Sequence, residues 1–374
     1  MVYAGFVFLF LAVYYSFFLI RIFSGLKKLK IAETGNFNGL VTLIIPFRNE
    51  SEKILRNLES IQNQNFPDER LEVIYINDNS NDGGEILLEK AITKKNIRII
   101  NAESDGKRAH KKTAILEGLK EAKGEIIVST DSDCLHGKNW LKTLINYFDE
   151  ETAFVSGPVE FVDDNTFFAG LQRLEFAGLI FTGAGLIGAG TPVICNAANL
   201  AYRKKIFEEV GGFSDNMGIS SGDDELLMQK IASHKKYKIK FCPEKDSMVF
   251  TEPNSGLNQL MNQRKRWASK GLHYKDKGLI FTLTLIFLFY LGLLIQPFLG
   301  LFISKFFFLT FAVSLLIKMF FEFLIISKGS KILGIKGLIK YFIPAEIFQV
   351  PYIVISAIGG AAGGYKWRGR TIKR

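Results

Sequence analysis

The sequence predicts an α/β domain with a mostly parallel, Rossmann-like mixed sheet, flanked by transmembrane helices. Three observations lead there. Short apolar runs alternate with amphipathic ones between Gly39 and about Tyr274, the pattern of strands alternating with helices. Long apolar runs occupy both ends while the charges fill the middle, as in a soluble domain held between membrane segments. Polar clusters follow the apolar strands, at the edge where parallel sheets hold ligands.

Met1 to Phe23 is almost uninterruptedly apolar and aromatic, about the 20 residues needed to cross a bilayer core of roughly 30 Å. No basic residue precedes it and no small-residue cleavage site follows, which favours an anchor over a cleaved signal peptide. Lys27, Lys28 and Lys30 come next, so the N-terminus is expected outside and the following domain in the cytoplasm. We place the anchor at residues 1–24, the soluble domain at 36–275, a second membrane region of two to three spans at 278–365, and a basic tail at 366–374.

Within the domain, Leu40 to Pro46 and Leu71 to Asn77 read as buried strands, joined by a helix with Ile54, Leu58 and Ile61 on one face. Ile97 to Asn101 is a third strand, Thr113 to Ala122 a helix with Ile115 and Leu119 inward, and Glu125 to Thr130 a fourth strand. Phe167 to Gly190 is apolar but broken by Gln172, Arg173 and Glu175. It is expected as a short interfacial segment or core helix, because a crossing there would split the domain.

Beyond Lys277, candidate spans run from about Leu279 to Ile303, Phe306 to Ile326 and Tyr341 to Gly363. Three full crossings would leave the basic Lys366-Trp367-Arg368-Gly369-Arg370 outside, against the positive-inside bias, whereas Pro344 and Pro351 allow a re-entrant last segment. Three spans is the reading adopted. Lys318 and Glu322 lie four apart and are expected to pair, as a packing device or an acceptor-site feature.

The net charge of +10 is accounted for largely by the basic flanks, which include Lys328, Lys331, Lys336 and Lys340. Nucleic acid need not be invoked. Cys134, Cys195 and Cys242 form no CxxC pair, and the four histidines no HExxH, so disulfide and zinc frameworks are not expected.

Five clusters carry chemistry. Asp131 and Asp133 follow a buried strand, where two carboxylates and a diphosphate could share Mg2+ or Mn2+. Asp78 ends the second strand and could accept from a uracil ring or ribose hydroxyl, or simply form an Asx-turn. Lys111 and Lys112 open a helix and could bond a phosphate or nucleotide carbonyl, or be a solvated helix end. Asp223 and Asp224 precede a helix, as a cap or as a general base for an acceptor hydroxyl. Gln263-Arg264-Lys265-Arg266-Trp267 offers a guanidinium for phosphates and an indole for stacking, or an interfacial belt.

Together these residues resemble family 2 glycosyltransferases, in the membrane-anchored branch that includes ceramide glucosyltransferases and polysaccharide synthases. Ile45-Pro46-Phe47-Arg48-Asn49-Glu50 is similar to the family's opening P-x-x-N-E, and Asn77-Asp78-Asn79-Ser80-Asn81-Asp82 to its D-x-S-x-D loop. Lys111 with Ala114 resembles the nucleotide-side lysine motif, Asp131-Ser132-Asp133 the DxD, and Asn196-Ala197-Ala198-Asn199 with Tyr202-Arg203 and Val210-Gly211-Gly212-Phe213 the acceptor-side segment. Asp223-Asp224 resembles the family's E-D, and Gln263, Arg266 and Trp267 its Q-x-x-R-W. Two departures are a missing glycine in the Asn196–Asn199 segment and a competing Lys107.

The resemblance implies a GT-A fold and inversion by single displacement. It implies Asp224 as catalytic base, and donor contacts from Pro46, Asn49, Glu50, Asp78, Lys111, Asp131, Gln263, Arg266 and Trp267. Asp131 and Asp133 would hold the metal, and Asn199 and Asp223 would lie on the acceptor side. The expected reaction moves a hexose or related sugar from a UDP-sugar to a hydroxyl of a lipid or lipid-linked acceptor at the cytoplasmic face. Chain synthesis and a non-catalytic nucleotide-binding membrane sensor are the alternatives.

Overall fold

The structure, a computed structural model, describes residues 2–372 except 33–34, 36, 103–109, 220–221, 363–364 and 368–369. Lys107, Arg368 and Gly369 therefore lie outside the described residues.

After helix α1 (Val2–Lys28), the chain enters β1 (Val41–Phe47), α2 (Ile54–Gln62), β2 (Leu71–Asn77), α3 (Gly84–Ala91), β3 (Ile97–Asn101), α4 (His110–Glu121) and β4 (Ile126–Ser129). Every residue of β1 and β4 is buried, as expected of central parallel strands covered on both faces. The second half adds β5 (Leu135–His136), α5 (Trp140–Ile145), β6 (Thr152–Ser156), β7 (Val159–Phe161), α6 (Phe167–Gly188), β8 (Leu200–Arg203), α7 (Lys204–Glu209), α8 (Glu225–Ser233), β9 (Lys238–Phe241), β10 (Val249–Thr251) and α9 (Leu257–Ser269).

The main sheet has the order β3-β2-β1-β4-β8-β6-β9. Strands β1 to β4 are parallel, and β8 runs antiparallel to both β4 and β6. The register pairs Phe47 with Asn77, Asn77 with Asn101 and Ile44 with Ser129. The four parallel strands thus end along one edge, where their polar loops meet. A small sheet, β5-β10-β7, closes beside it.

The expected early elements stand within a few residues of the sequence reading. The Phe167–Gly190 segment is one 22-residue helix, started by Thr166, whose Oγ1 accepts from the Ala169 N–H at 3.1 Å. It packs against α1 through glycine. A Cβ on Gly25 would lie 1.8 Å from the Gly185 carbonyl oxygen, and one on Gly188 would lie 2.3 Å from that of Gly25. Only glycine allows backbones this close, the small-residue crossing used in membranes.

Helices α10 (Lys277–Phe302), α11 (Phe306–Leu333) and α12 (Phe342–Ala362) complete the bundle, before a hairpin of β11 (Tyr365–Trp367) and β12 (Arg370–Ile372). With α1 they are, among the described residues, the four helices long and apolar enough to cross a membrane. Asp276 starts α10 by accepting from the Gly278 and Leu279 N–H groups at 2.7 and 3.1 Å. Pro351 does not break α12. Lys318, fully buried, places its Nζ 3.0 Å from Glu322 and 2.6 Å from Glu346, while Tyr15 and Tyr290 donate to Glu322 at 2.7 and 3.0 Å. The expected pair is the centre of a network joining all four helices, since a fully buried charge requires partners.

Candidate active site

Strand β4 delivers Thr130, Asp131, Ser132 and Asp133 to the sheet edge. Thr130 donates to the Ala198 carbonyl at 2.7 Å and contacts His136 at 2.9 Å. Burial lowers the His136 pKa to about 3, so this imidazole is neutral packing. The ligand atoms of Asp131, Asp133 and Cys134 lie within 4.8 Å of one another. Burial, then Asp133 and Asp131, pushes the Cys134 thiol pKa up, so of the three groups the two carboxylates are the ones whose chemistry suits a hard cation.

Helix α4 brings Lys111 to the same edge. Its Nζ lies 2.7 Å from Asp131 and 3.0 Å from Asp223. Burial opposes the charge, but the two carboxylates outweigh it and raise the lysine pKa. Asp223 answers in kind: burial pushes it up, Lys111 outweighs that, and its pKa falls. Lys112 faces elsewhere, donating to the carbonyls of Asn216 and Ile219 at 2.8 and 3.0 Å. Burial lowers its pKa to about 8 despite Asp223 and Asp224.

Asp224 caps α8, accepting from the Glu225 N–H at 2.7 Å. Lys270, which sequence reasoning missed, lies 2.9 Å from Glu225 and 3.6 Å from Asp224. Burial disfavours its charge, and Asp224 and Glu225 more than compensate, raising its pKa. Burial raises the Glu225 pKa, and Tyr274 donates to that carboxylate at 2.7 Å. The signal for Lys270 is its place four residues after Arg266, on the same helical face. Lys53 and Glu252, paired at 2.6 Å, are further residues that sequence reading overlooked.

One cavity of about 700 Å³ collects these groups: Asp131, Asp133, Lys111, Asp223, Asp224, Gln263, Arg266, Trp267 and Lys270 all line it. Phe176, Leu179, Ile180 and Gly183 of α6 form its apolar wall. A smaller cleft beside it is lined by Pro46, Arg48, Asp78, Lys111 and Asp131. Asp78 is buried, and Arg48 donates to its carbonyl at 2.6 Å.

Arg264 holds the Q-x-x-R-W segment in place. It is buried, pairs with Glu175 of α6, donates to Gln263 and sits 4.2 Å over the Trp267 ring. Tyr352 of α12 donates to the same Glu175 at 3.1 Å.

Two expected contacts stand apart from the cavity. Asn49 (φ 52°) braces the loops, accepting from the Asn81 N–H at 2.9 Å and donating its own N–H to Ser80 at 3.1 Å. Glu50 accepts at its carbonyl from the N–H groups of Lys53 and Ile54, and neither residue lines the cavity or the cleft. Asn199 corrects the sequence reading. It is fully buried, donates to the carbonyls of Pro158 and Ser247 at 2.7 Å each, and accepts from Trp140 Nε1 at 3.0 Å. Its amide is spent on the core, leaving nothing for an acceptor.

A mostly parallel sheet with carboxylates at one strand-end edge and a cavity beside them is the arrangement of a GT-A fold. Residues 42–211 match the Glycosyl transferase family 2 model, and the catalytic domain belongs to that family. The chain is 28% identical over 229 residues to glycosyltransferase AglE of Haloferax volcanii, covering 60% of this chain and 71% of that one. It is 26% identical over 235 residues to probable glycosyltransferase YdaM of Bacillus subtilis, of which it spans about half (54%). Among solved structures, mannosyltransferase PcManGT from Pyrobaculum calidifontis, in complex with GDP-Man and Mn2+, shares the fold with a TM-score of 0.61 at 18% identity, covering 96% of this chain and 99% of that one.

Proposed function

We propose that this enzyme transfers a hexose or related sugar from a UDP-sugar to a hydroxyl of a lipid or lipid-linked acceptor, with inversion, at the cytoplasmic membrane face. The observation that carries the reading is the single cavity onto which Asp133 and Asp224 both open, with α6 supplying an apolar wall. Mg2+ or Mn2+ held by Asp131 and Asp133 would neutralise the departing diphosphate. Lys111, already beside Asp131, adds positive charge on the same side. Arg266 lines the cavity where it can pair with phosphate oxygens. Asp78 and Pro46, which line the adjoining cleft, would contact the nucleobase and ribose.

Asp224 takes the proton of the acceptor hydroxyl as its oxygen bonds to the anomeric carbon and the bond to the diphosphate breaks. One base and one leaving group suffice for a single displacement. Lys270 and the cap bond to Glu225 fix the orientation of that carboxylate. The lipid acceptor is supported by α6, whose apolar residues face the cavity while its Gly185 and Gly188 pack on the apolar helix α1. Cytoplasmic placement is supported by Lys27 and Lys28 at the domain end of α1 and Lys328 and Lys331 near the end of α11.

The test is incubation of purified protein with a panel of nucleotide-sugars, Mg2+ or Mn2+, and a total lipid extract, with products identified by mass. A new glycolipid supports the reading. A ladder of products would indicate chain synthesis, and nucleotide binding with no turnover of any donor would indicate a sensor.

A further inference from the structure

Three of the four long apolar helices meet at the ends opposite those joined to the catalytic domain. The Phe8 and Phe307 rings are 6.2 Å apart, a Cβ on Gly5 would lie 2.3 Å from the Phe306 ring, and one on Gly300 would lie 2.8 Å from the Phe308 ring. These contacts join α1, α10 and α11.

Helix α12 behaves differently, because both of its ends touch the catalytic domain. Tyr341, just before it, fills the space beside Gly170 of α6, where a Cβ would lie 2.0 Å from the ring, and its ring is 6.1 Å from that of Phe167. Midway, Tyr352 donates to Glu175 of α6. At the far end, a Cβ on Gly359 would lie 2.8 Å from the Lys265 side chain and one on Gly360 would lie 2.7 Å from Ala268, both on α9. Tyr341 and Gly360 are separated by roughly 28 Å of helix, at about 1.5 Å per residue, nearly the depth of a bilayer core of about 30 Å. A helix crossing the membrane would have one of these ends on the distal side.

The faces of α12 agree. Glu346 and Gln349 turn inward to the Lys318 ammonium, at 2.6 and 2.5 Å. Ile343, Ile347, Phe348, Ile355 and Ile358 are each more than half exposed. An outward apolar face continuous with the other apolar helices needs lipid to cover it.

We infer that α12 does not cross the membrane but lies along the catalytic-domain side of the bundle with its apolar face in lipid, so that only α1, α10 and α11 cross. Three crossings return the chain to the side of the catalytic domain. The basic segment around Lys366 and Arg370 then sits with the other basic flanks, which removes the conflict with the positive-inside bias. The inference is independent of the chemistry in the cavity.

The test is labelling of the full chain with a membrane-impermeant maleimide in sealed vesicles of one orientation. Cys195, the native cysteine that is not fully buried, is replaced by Ser. Reporters are Asn65→Cys in the catalytic domain, Lys305→Cys between α10 and α11, and Thr371→Cys or Arg370→Cys after α12. Thr371→Cys and Arg370→Cys should share the sidedness of Asn65→Cys and oppose Lys305→Cys, with all four reacting once detergent is added. Sidedness shared with Lys305→Cys would overturn the inference and make α12 a crossing helix.

Discussion

Asp224, the proposed base, and Asp133, a proposed metal ligand, line one cavity, so their variants should separate. Asp224→Asn keeps the shape and the cap but removes the proposed base. Transfer should fall by about 10³-fold or more, while nucleotide-sugar affinity measured by calorimetry stays within about twofold. Asp133→Ala should weaken both metal-dependent donor binding and transfer. Asn199→Leu should act on stability alone. Stranding Trp140 Nε1 and two buried carbonyls should cost about 2–3 kcal/mol, read as a lower thermal midpoint with unchanged donor KM in the folded fraction. Lys112 offers a pH test. Its folded pKa of about 8 lies below the ordinary 10.5, so between these values the unfolded chain binds more protons and stability rises with pH. The midpoint of the protein relative to Lys112→Met should therefore climb from pH 8 to 10.5 and be flat below 8. Asp78, Asp131 and Asp133 were legible in the sequence because they follow apolar strands, and Asp223 and Asp224 because they precede a helix. Lys270, Glu225 and the pairing of Arg264 with Glu175 were not, since they depend on helices α8, α9 and α6 meeting in space. Asn199 misled because a motif position carries no information about which way an amide points.

At the scale of elements, β1 to β4 and their helices were readable because continuous apolar runs alternate with helical faces of period 3.6. Strands β5 to β10 are two to five residues long, too short to show a period, and they pair across long sequence separations. The length of α6 was obscured by Gln172, Arg173 and Glu175, each of which has a partner in the fold: Asn254, Glu160 and Arg264. Its close approach to α1 is set by Gly25, Gly185 and Gly188. Gly185→Leu places side-chain atoms where the Ile22 carbonyl stands, 2.5 Å from a Cβ. The expected cost is about 1–3 kcal/mol, with a drop in transfer because α6 also walls the cavity. An unchanged melting midpoint in detergent would contradict this packing.

In the whole molecule, catalytic domain and bundle share their framework rather than being joined by a linker. Helix α6 faces the cavity on one side and the bundle on the other, and Arg264 links the Gln263–Trp267 segment through Glu175 to Tyr352 of α12. In the proposed reaction, an acceptor with a lipid tail would present its hydroxyl to Asp224 along the apolar wall that α6 gives the cavity. The most direct measurement of sugar transfer in this cavity is a paired assay of the intact protein and Asp224→Asn, with one nucleotide-sugar, Mn2+ and membrane lipid. Equal donor affinity with glycolipid formed only by the intact protein is the predicted result. Glycolipid formed by Asp224→Asn at the rate of the intact protein would contradict it.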